Sequence, residues 1–323
     1  MSQSDCCANK PADKVDLSIV IPAFNEATNV RRLYCELVEV LSRLNVSWEI
    51  IFADDGSVDT TWDEIKSLNN DNKNVKGIRL SRNFGHQYAL LAGMTHAAGQ
   101  AVISMDADLQ HPPQLIPELV SEWRKGSKIV HTIRRHSADT GLFRRWTSKL
   151  YYRVFSLLSG VPIEEGMADF RLLDRQVLDA IRVFREGGLF WRGIVQWVGY
   201  PSSKVTFQGR NRHSGKTKYT LSKMIRLAAS GITSFSVVPL RIGVLLGVIT
   251  SLLAFAELAF AVYAKLVLGT TVPGWASAVS VVAFLFGILF ILLGLIGEYI
   301  GQVLIEVRGR PRFIVGDTIG FQG

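Results

Sequence analysis

Along roughly the first 130 residues, short unbroken apolar runs alternate with stretches in which apolar residues recur every three or four positions. Leu17–Ile21, Trp48–Ala53, Val75–Leu80, Ala101–Met105 and Ile129–Ile133 are too short for buried helices and rich in β-branched residues, so they predict strands. Between them, Val30, Leu33, Leu37, Val38 and Leu41 fall on one helical face. Similar periodicity predicts helices from Thr60 to Leu68, from the Arg82–Gly85 loop through His96, and from Gln114 to Lys125. Strands alternating with helices in this way predict an α/β domain with a mostly parallel sheet covered on both faces.

The pattern then changes. From Leu142 to Leu158, Phe143, Trp146, Leu150, Tyr151, Val154 and Phe155 share one side, with Arg144, Arg145, Lys149 and Arg153 between them. Such a basic amphipathic helix suits either a membrane surface or the flank of its own domain. Residues 221–236 repeat this character, and there the interfacial reading is preferred because they lead into Ile242–Ala264, whose one charge is Glu257. A second apolar stretch, Ala276–Gly297, carries no charge. At 1.5 Å rise per residue each spans roughly 30 to 35 Å, enough for a bilayer core, so a two-helix transmembrane hairpin is expected. Glu257 then needs a partner or a proton. Gly243-x-x-x-Gly247 and Gly297-x-x-x-Gly301 allow close helix approach, within the hairpin or in a homo-oligomer.

Composition sharpens this division. The 323 residues are 48% hydrophobic with a net charge of +8. The basic residues gather beside the apolar stretches: Lys216, Lys218, Lys223, Arg226 and Arg241 before the first, Arg308, Arg310 and Arg312 after the second, and only Lys265 near the connector. Membrane lipid headgroups are therefore expected as partners rather than nucleic acid, and the N-terminal domain and tail are expected on the cytoplasmic side of the inner (plasma) membrane. Residues 1–16 are polar and give no signal-peptide pattern. Cys6, Cys7 and Cys35 lack metal-ligand spacing and read as reduced thiols. The expected layout is a tail (1–16), a cytoplasmic α/β domain (17–220), an interfacial helix (221–236), a two-helix transmembrane region (237–301) and a cytoplasmic tail (302–323).

Candidate chemistry collects where strands end. Pro22-Ala23-Phe24-Asn25-Glu26 follows the first strand, Asp54-Asp55-Gly56-Ser57 the second, and Asp106-Ala107-Asp108-Leu109-Gln110 the fourth. Two carboxylates one residue apart suit Mg²⁺ or Mn²⁺, hard cations that take oxygen ligands and keep positions open for substrate phosphates. The carboxylates and amide of the other loops suit a base and ribose, so the set reads as a nucleotide-diphosphate site. Neither G-x-G-x-x-G nor a Walker P-loop is present.

These residues resemble the family 2 glycosyltransferases of GT-A fold, and within them the polyprenyl-phosphate glycosyltransferases related to dolichol-phosphate mannose synthase. The similarity covers nearly the whole chain. It includes Ser18–Glu26, Asp54–Ser57, Asn83-x-Gly85-x-x-x-Ala89-x-x-x-Gly93, Asp106–Pro113, Ala168-Asp169-Phe170-Arg171, Arg212-x-x-Gly215-x-Thr217-Lys218-Tyr219 and Gly297–Gly301 through Pro311. The resemblance implies metal-dependent transfer of one sugar, with inversion, from a nucleotide-diphosphate sugar such as UDP-glucose to a polyprenyl phosphate. Pro22, Phe24, Glu26, Phe52, Asp54, Asp55, Asp106 and Ala107 would bind the nucleotide sugar, and Asp106, Asp108 and Gln110 the metal. Arg212 and Lys218 would meet acceptor phosphate oxygens, with Asp108, Asp169 and Arg212 as the catalytic set. Asp169 is left with two roles, orienting or deprotonating the acceptor, or buttressing the site through Arg171. The motifs do not cover the sugar hydroxyls, so GDP-mannose and UDP-4-amino-4-deoxy-4-formamido-arabinose stay open as donors. A non-catalytic nucleotide-sugar-binding scaffold is the rival from another class.

Overall fold

The computed structural model describes residues 15–135, 166–184, 191–208, 238–267 and 274–321. The amphipathic segment 142–158, the interfacial segment 221–236, Arg212 and Lys218 lie outside them. The chain divides into two compact units, one of Met1–Tyr152, Pro162–Lys218 and Pro311–Gly323, the other of Arg153–Val161 and Tyr219–Arg310.

In the first unit the expected alternation is present: β1 (Leu17–Ala23), α1 (Ala27–Leu41), β2 (Trp48–Asp54), α2 (Thr61–Asp71), β3 (Val75–Leu80), α3 (His86–His96), β4 (Ala101–Ser104), α4 (Ile116–Arg124) and β5 (Ile129–Arg135). β6 (Met167–Asp174), α5 (Arg175–Arg182), α6 (Trp191–Trp197) and β7 (Ser202–Gln208) follow. One eight-stranded sheet runs β7-β5-β6-β4-β1-β2-β3-β8, where β8 is Val315–Ile319. β1 pairs in parallel with β2 and β4, β2 with β3, and β5 with β7. β6 is antiparallel to both β4 and β5, and β8 is antiparallel to β3. Val315–Ile319, within the expected tail of 302–323, therefore pairs into this sheet.

Strand alternation assigns the two faces. Leu17, Ile19 and Ile21 of β1 and Trp48, Ile50 and Phe52 of β2 join Val30, Leu33 and Leu37 of α1 and Trp62, Ile65 and Leu68 of α2 in one core. Val20 points the other way, onto α3. There Gly93 admits it so closely that a Cβ would stand 2.4 Å from Val20 Cγ1. The sheet order reverses beside β1: the chain proceeds to β2 and β3 on one side and to β4 on the other. The loops after β1 and β4 consequently lie on either side of this switch point at the carboxyl edge, where sheets of this kind form their ligand-binding crevice.

The second unit contains α7 (Val238–Leu266) and α8 (Trp275–Val307). Both are long and apolar enough to cross a membrane, over Leu240–Phe260 and Phe284–Val307, and only 6% and 0% of these windows is buried. A core helix of a soluble protein would bury most of its length, so these helices fit association with a membrane. The second apolar window lies closer to the C-terminus than Ala276–Gly297, because Ile300, Val303, Leu304, Ile305 and Val307 extend the exposed apolar surface past Glu298. Of the small-residue pairs, Gly243 lies against the other helix: a Cβ there would meet Leu292 Cδ2 at 2.4 Å. Gly247, Gly297 and Gly301 would meet nothing within 4 Å.

Candidate active site

The first two strand-end loops are stitched to each other. Asn25 N–H donates to Ser57 Oγ (2.9 Å), Val58 N–H to Asn25 Oδ1 (3.0 Å), and Asp55 N–H to the Ala23 carbonyl (2.9 Å). Asn25 adopts φ 56°, and Leu109 in the third loop φ 61°. Left-handed backbone at a non-glycine residue costs free energy and persists where surroundings enforce it, commonly at functional sites. Here the two such residues among those described both lie at the crevice.

Asp54 is fully buried. Its Oδ1 accepts from Ser57 N–H (3.0 Å), while Oδ2 has no hydrogen-bond partner and lies 3.4 Å from Arg79 Nε. Burial raises its pKa above the ordinary carboxylate value; the Ser57 hydrogen bonds and the Arg79 charge offset part of that rise. Arg79 also donates to the Ser57 carbonyl (3.1 Å). Sequence reasoning missed Arg79, although its place on the third strand, in register with Asp54, was the available signal. Glu26, partly exposed, accepts from Asn29, and Phe24 is 43% exposed at the loop tip.

Besides Asp54, four of the expected nucleotide-binding residues are buried. Phe52 is fully buried in the α1–α2 core, two residues before Asp54 on the same face, so it supports Asp54 from beneath. Asp55 accepts from Phe84 N–H (2.7 Å) and Gly85 N–H (2.9 Å), one on each oxygen, and so anchors the β3–α3 loop. Ala107 is 3% exposed, facing the core between the two metal-motif carboxylates, and Pro22 is buried at the end of β1. Period-two alternation turns Phe52 inward, whereas Asp55 and Ala107 lie in the loops after their strands.

The third loop presents Asp106, Asp108 and Gln110, all partly exposed. Asp108 Oδ1 accepts from Gln110 N–H (3.1 Å), closing the turn around Leu109. Asp106 N–H donates to His111 Nδ1 (3.1 Å), and His86 Nε2 stands 3.4 Å from Asp106 Oδ1. His111 itself is buried and stacked on Phe170 at 5.3 Å, a structural position. Arg134, a second residue that sequence reasoning missed, donates to Gln110 Oε1 (2.8 Å) from the end of β5. No group of three His, Cys, Asp or Glu side chains clusters among the described residues. A divalent cation here would rest on two carboxylates and an amide oxygen, with substrate phosphates completing the shell; such an all-oxygen, open set suits Mg²⁺ or Mn²⁺.

β6 brings Asp169 to the same edge. Its register with β4, Ser104 opposite Arg171, carries position 169 to the level of Asp106. Ser104 Oγ donates to the Asp169 carbonyl (2.5 Å), and Arg171 Nη2 lies 2.8 Å from Asp169 Oδ1. The buttressing partner anticipated for Asp169 is therefore in place. Below it on β5, His131 is buried, and burial, with the charges of Arg171 and Lys204, lowers its pKa to about 4.

Comparison with known proteins agrees with this geometry. Residues 18–182 match the model of "Glycosyl transferase family 2". The chain is 42% identical to an uncharacterised glycosyltransferase of Synechocystis, over 95% of this chain and 97% of that one. It is 36% identical to the bactoprenol glucosyl transferase of Shigella phage SfII, over 93% and 97%. A likeness to mannosyl-3-phosphoglycerate synthase of Rubrobacter xylanophilus is weaker, at 18% identity and a TM-score of 0.46 over 68% of this chain and 72% of that one. The strand-end loops, the sheet that carries them and the two full-length relatives agree: the chain belongs to glycosyl transferase family 2, and its mostly parallel sheet is the GT-A fold of that family.

Proposed function

We propose that the protein transfers a single glucose, with inversion, from UDP-glucose to a polyprenyl phosphate at the cytoplasmic face of the plasma membrane. One observation carries this reading: polar strand-end loops at the β1/β4 switch point, rich in carboxylates, occur in the same chain as two exposed apolar helices of bilayer length. Full-length relatives named bactoprenol glucosyl transferases support the acceptor and the sugar.

Asp54 Oδ2, a buried acceptor without a hydrogen-bond partner, would take a base N–H, with Arg79 at the pocket's outer side. Glu26 and Phe24 would border the nucleoside. Asp106, Asp108 and Gln110 would hold Mg²⁺ or Mn²⁺, which when bound neutralises the departing diphosphate. Arg134, already on Gln110, adds a fixed positive charge beside that position. The acceptor phosphate, with a second pKa of about 6, is largely ionised at neutral pH and needs little general-base help. Asp169, fixed by Arg171, then orients the acceptor from the β6 side, and Arg212 and Lys218 would meet its phosphate oxygens. The two apolar helices would cross the membrane as a hairpin.

The test is product formation by the detergent-purified chain with undecaprenyl phosphate, offering labelled UDP-glucose, GDP-mannose and UDP-4-amino-4-deoxy-4-formamido-arabinose separately. Glucosyl lipid from UDP-glucose supports the reading. A lipid product from another donor replaces the sugar assignment. Nucleotide binding without turnover on any donor replaces the enzyme with a sensor or scaffold.

A further inference from the structure

The segment that follows the second apolar helix does more than end the chain. Arg312 donates to the Phe184 carbonyl, and Ser81 N–H donates to the Ile314 carbonyl (2.9 Å). β8 then runs back along β3, pairing Arg79 with Asp317, Ile78 with Thr318 and Gly77 with Ile319. Beyond it, Phe321 lies under Lys76 Nζ at 5.2 Å and against the His96 ring at 5.5 Å. Ile319 packs on the α1–α2 core, and a Cβ on Gly77 would meet its Cγ1 at 2.8 Å.

This strand touches the donor side of the crevice by two routes. In the sheet, Ala23, Asp54, Arg79 and Asp317 stand in one lateral row across β1, β2, β3 and β8, so β8 backs the residue that faces Asp54. At the loop, the register shifts between Arg79 and Leu80, and Gly316 lies close enough to Ser81 that a Cβ on it would stand 3.3 Å from Ser81 Cα. Ser81 leads into Arg82–Gly85, whose backbone leans on Gly56 and whose Phe84 and Gly85 N–H groups Asp55 holds. Arg79 and the start of the β3–α3 loop, which adjoin Asp54 and Asp55, are thus held from outside by residues 314–317.

We infer that the β8 segment is a positioning element of the donor site, setting nucleotide affinity through Arg79 and the β3–α3 loop. This rests on the proposed nucleotide-sugar function. Without β8, β3 would be an exposed edge with its outer backbone groups unpaired. Because Ser81 N–H faces β8, strand alternation turns the Arg79 and Gly77 backbone groups the same way, onto Asp317 and Ile319. Thr318 N–H turns away and is taken by the Asp317 carboxylate (2.8 Å).

A matched pair of full-length proline variants tests this. Asp317→Pro removes an N–H of the β3–β8 ladder; Thr318→Pro removes one outside it, and Asp317→Ala controls for the side chain. UDP binding by calorimetry, without acceptor, is expected to weaken about tenfold in Asp317→Pro, equivalent to one or two net hydrogen bonds, and to stay within about twofold in the other two. Equal affinity in Asp317→Pro and Thr318→Pro overturns the inference. In case Asp317→Pro does not fold, hydrogen exchange on the unaltered chain gives an independent reading: UDP should slow the amides of 314–319 together with those of 54–57. Protection confined to 54–57 overturns the inference and leaves the proposed function standing. An unaltered chain that binds neither UDP nor GDP overturns both.

Discussion

Arg171 and Asp169 meet at 2.8 Å on one strand, with the arginine side chain only 3% exposed and the aspartate 13%. A buried guanidinium with a carboxylate at the crevice edge separates two roles that a sequence leaves merged. Removing the cation takes the ion-pair partner from a nearly buried anion, and breaking such a pair costs about 3 to 5 kcal/mol. Arg171→Met should therefore lower the thermal midpoint markedly. Asp169→Asn keeps a hydrogen-bonding group beside Arg171 and should fold, while misplacing the acceptor and so losing roughly 100-fold in kcat with little change in KM for the nucleotide sugar. Calorimetry beside steady-state kinetics checks the split; equal losses in both parameters for Asp169→Asn would contradict it.

Asp54 gives a pH signature. Its folded pKa is raised by burial, so ionisation costs the unliganded protein stability, which declines as pH rises through that folded value. Donor affinity has the opposite sign, because a base N–H needs the ionised acceptor. UDP binding should weaken on the acid side at a pH above the ordinary aspartate range, and Asp54→Asn should flatten that limb. Calorimetric titrations from about pH 4 to pH 8 would show it.

His131 should leave its mark on stability. Its pKa falls from 6.5 unfolded to about 4 folded, so the unfolded chain takes up a proton first as the medium acidifies. Stability is full above pH 6.5 and declines as pH drops toward 4, by about 3 kcal/mol in all. His131→Asn should remove most of this slope between pH 6.5 and 4 in a chemical-denaturation series, whatever its effect at neutral pH.

Gly56 is held at φ +68°, and a Cβ there would sit 2.5 Å from the Arg82 carbonyl carbon. Both terms act against any other residue, so Gly56→Ala should cost about 1 to 3 kcal/mol or more. Because the clash is with the β3–α3 loop, UDP affinity should fall with it. A variant with unaltered affinity and midpoint would contradict the account of this turn.

The strands and helices through residue 135 were legible because each has a pure period: β-branched runs such as Ser18–Ile21, or the α1 stripe of Val30, Leu33 and Leu37. The metal-motif and Asp54 loops were legible from their spacing after such strands. What escaped depended on pairing partners far away in sequence. β6 carries a charged pair in its middle, Asp169 and Arg171, and reads as polar until β4 and β5 enclose it. β8 holds two exposed polar residues, Asp317 and Thr318, and becomes a strand only because β3 offers an open edge. Phe52 and Asp55 are near Asp54 in sequence but buried, Phe52 in the core and Asp55 on the β3–α3 loop, a distinction that depends on what covers the strand and its end. Arg79 and Arg134 belong to no motif, and only register reveals them.

The most direct test of the central claim is transfer of radiolabel from UDP-glucose to undecaprenyl phosphate by the purified chain, with a chelator arm, Mg²⁺ and Mn²⁺ add-back, and Asp108→Asn. The account predicts a glucosyl lipid that disappears with chelator, returns with either metal and is lost in Asp108→Asn. Label transfer that persists in Asp108→Asn, or that ignores the chelator, would contradict it.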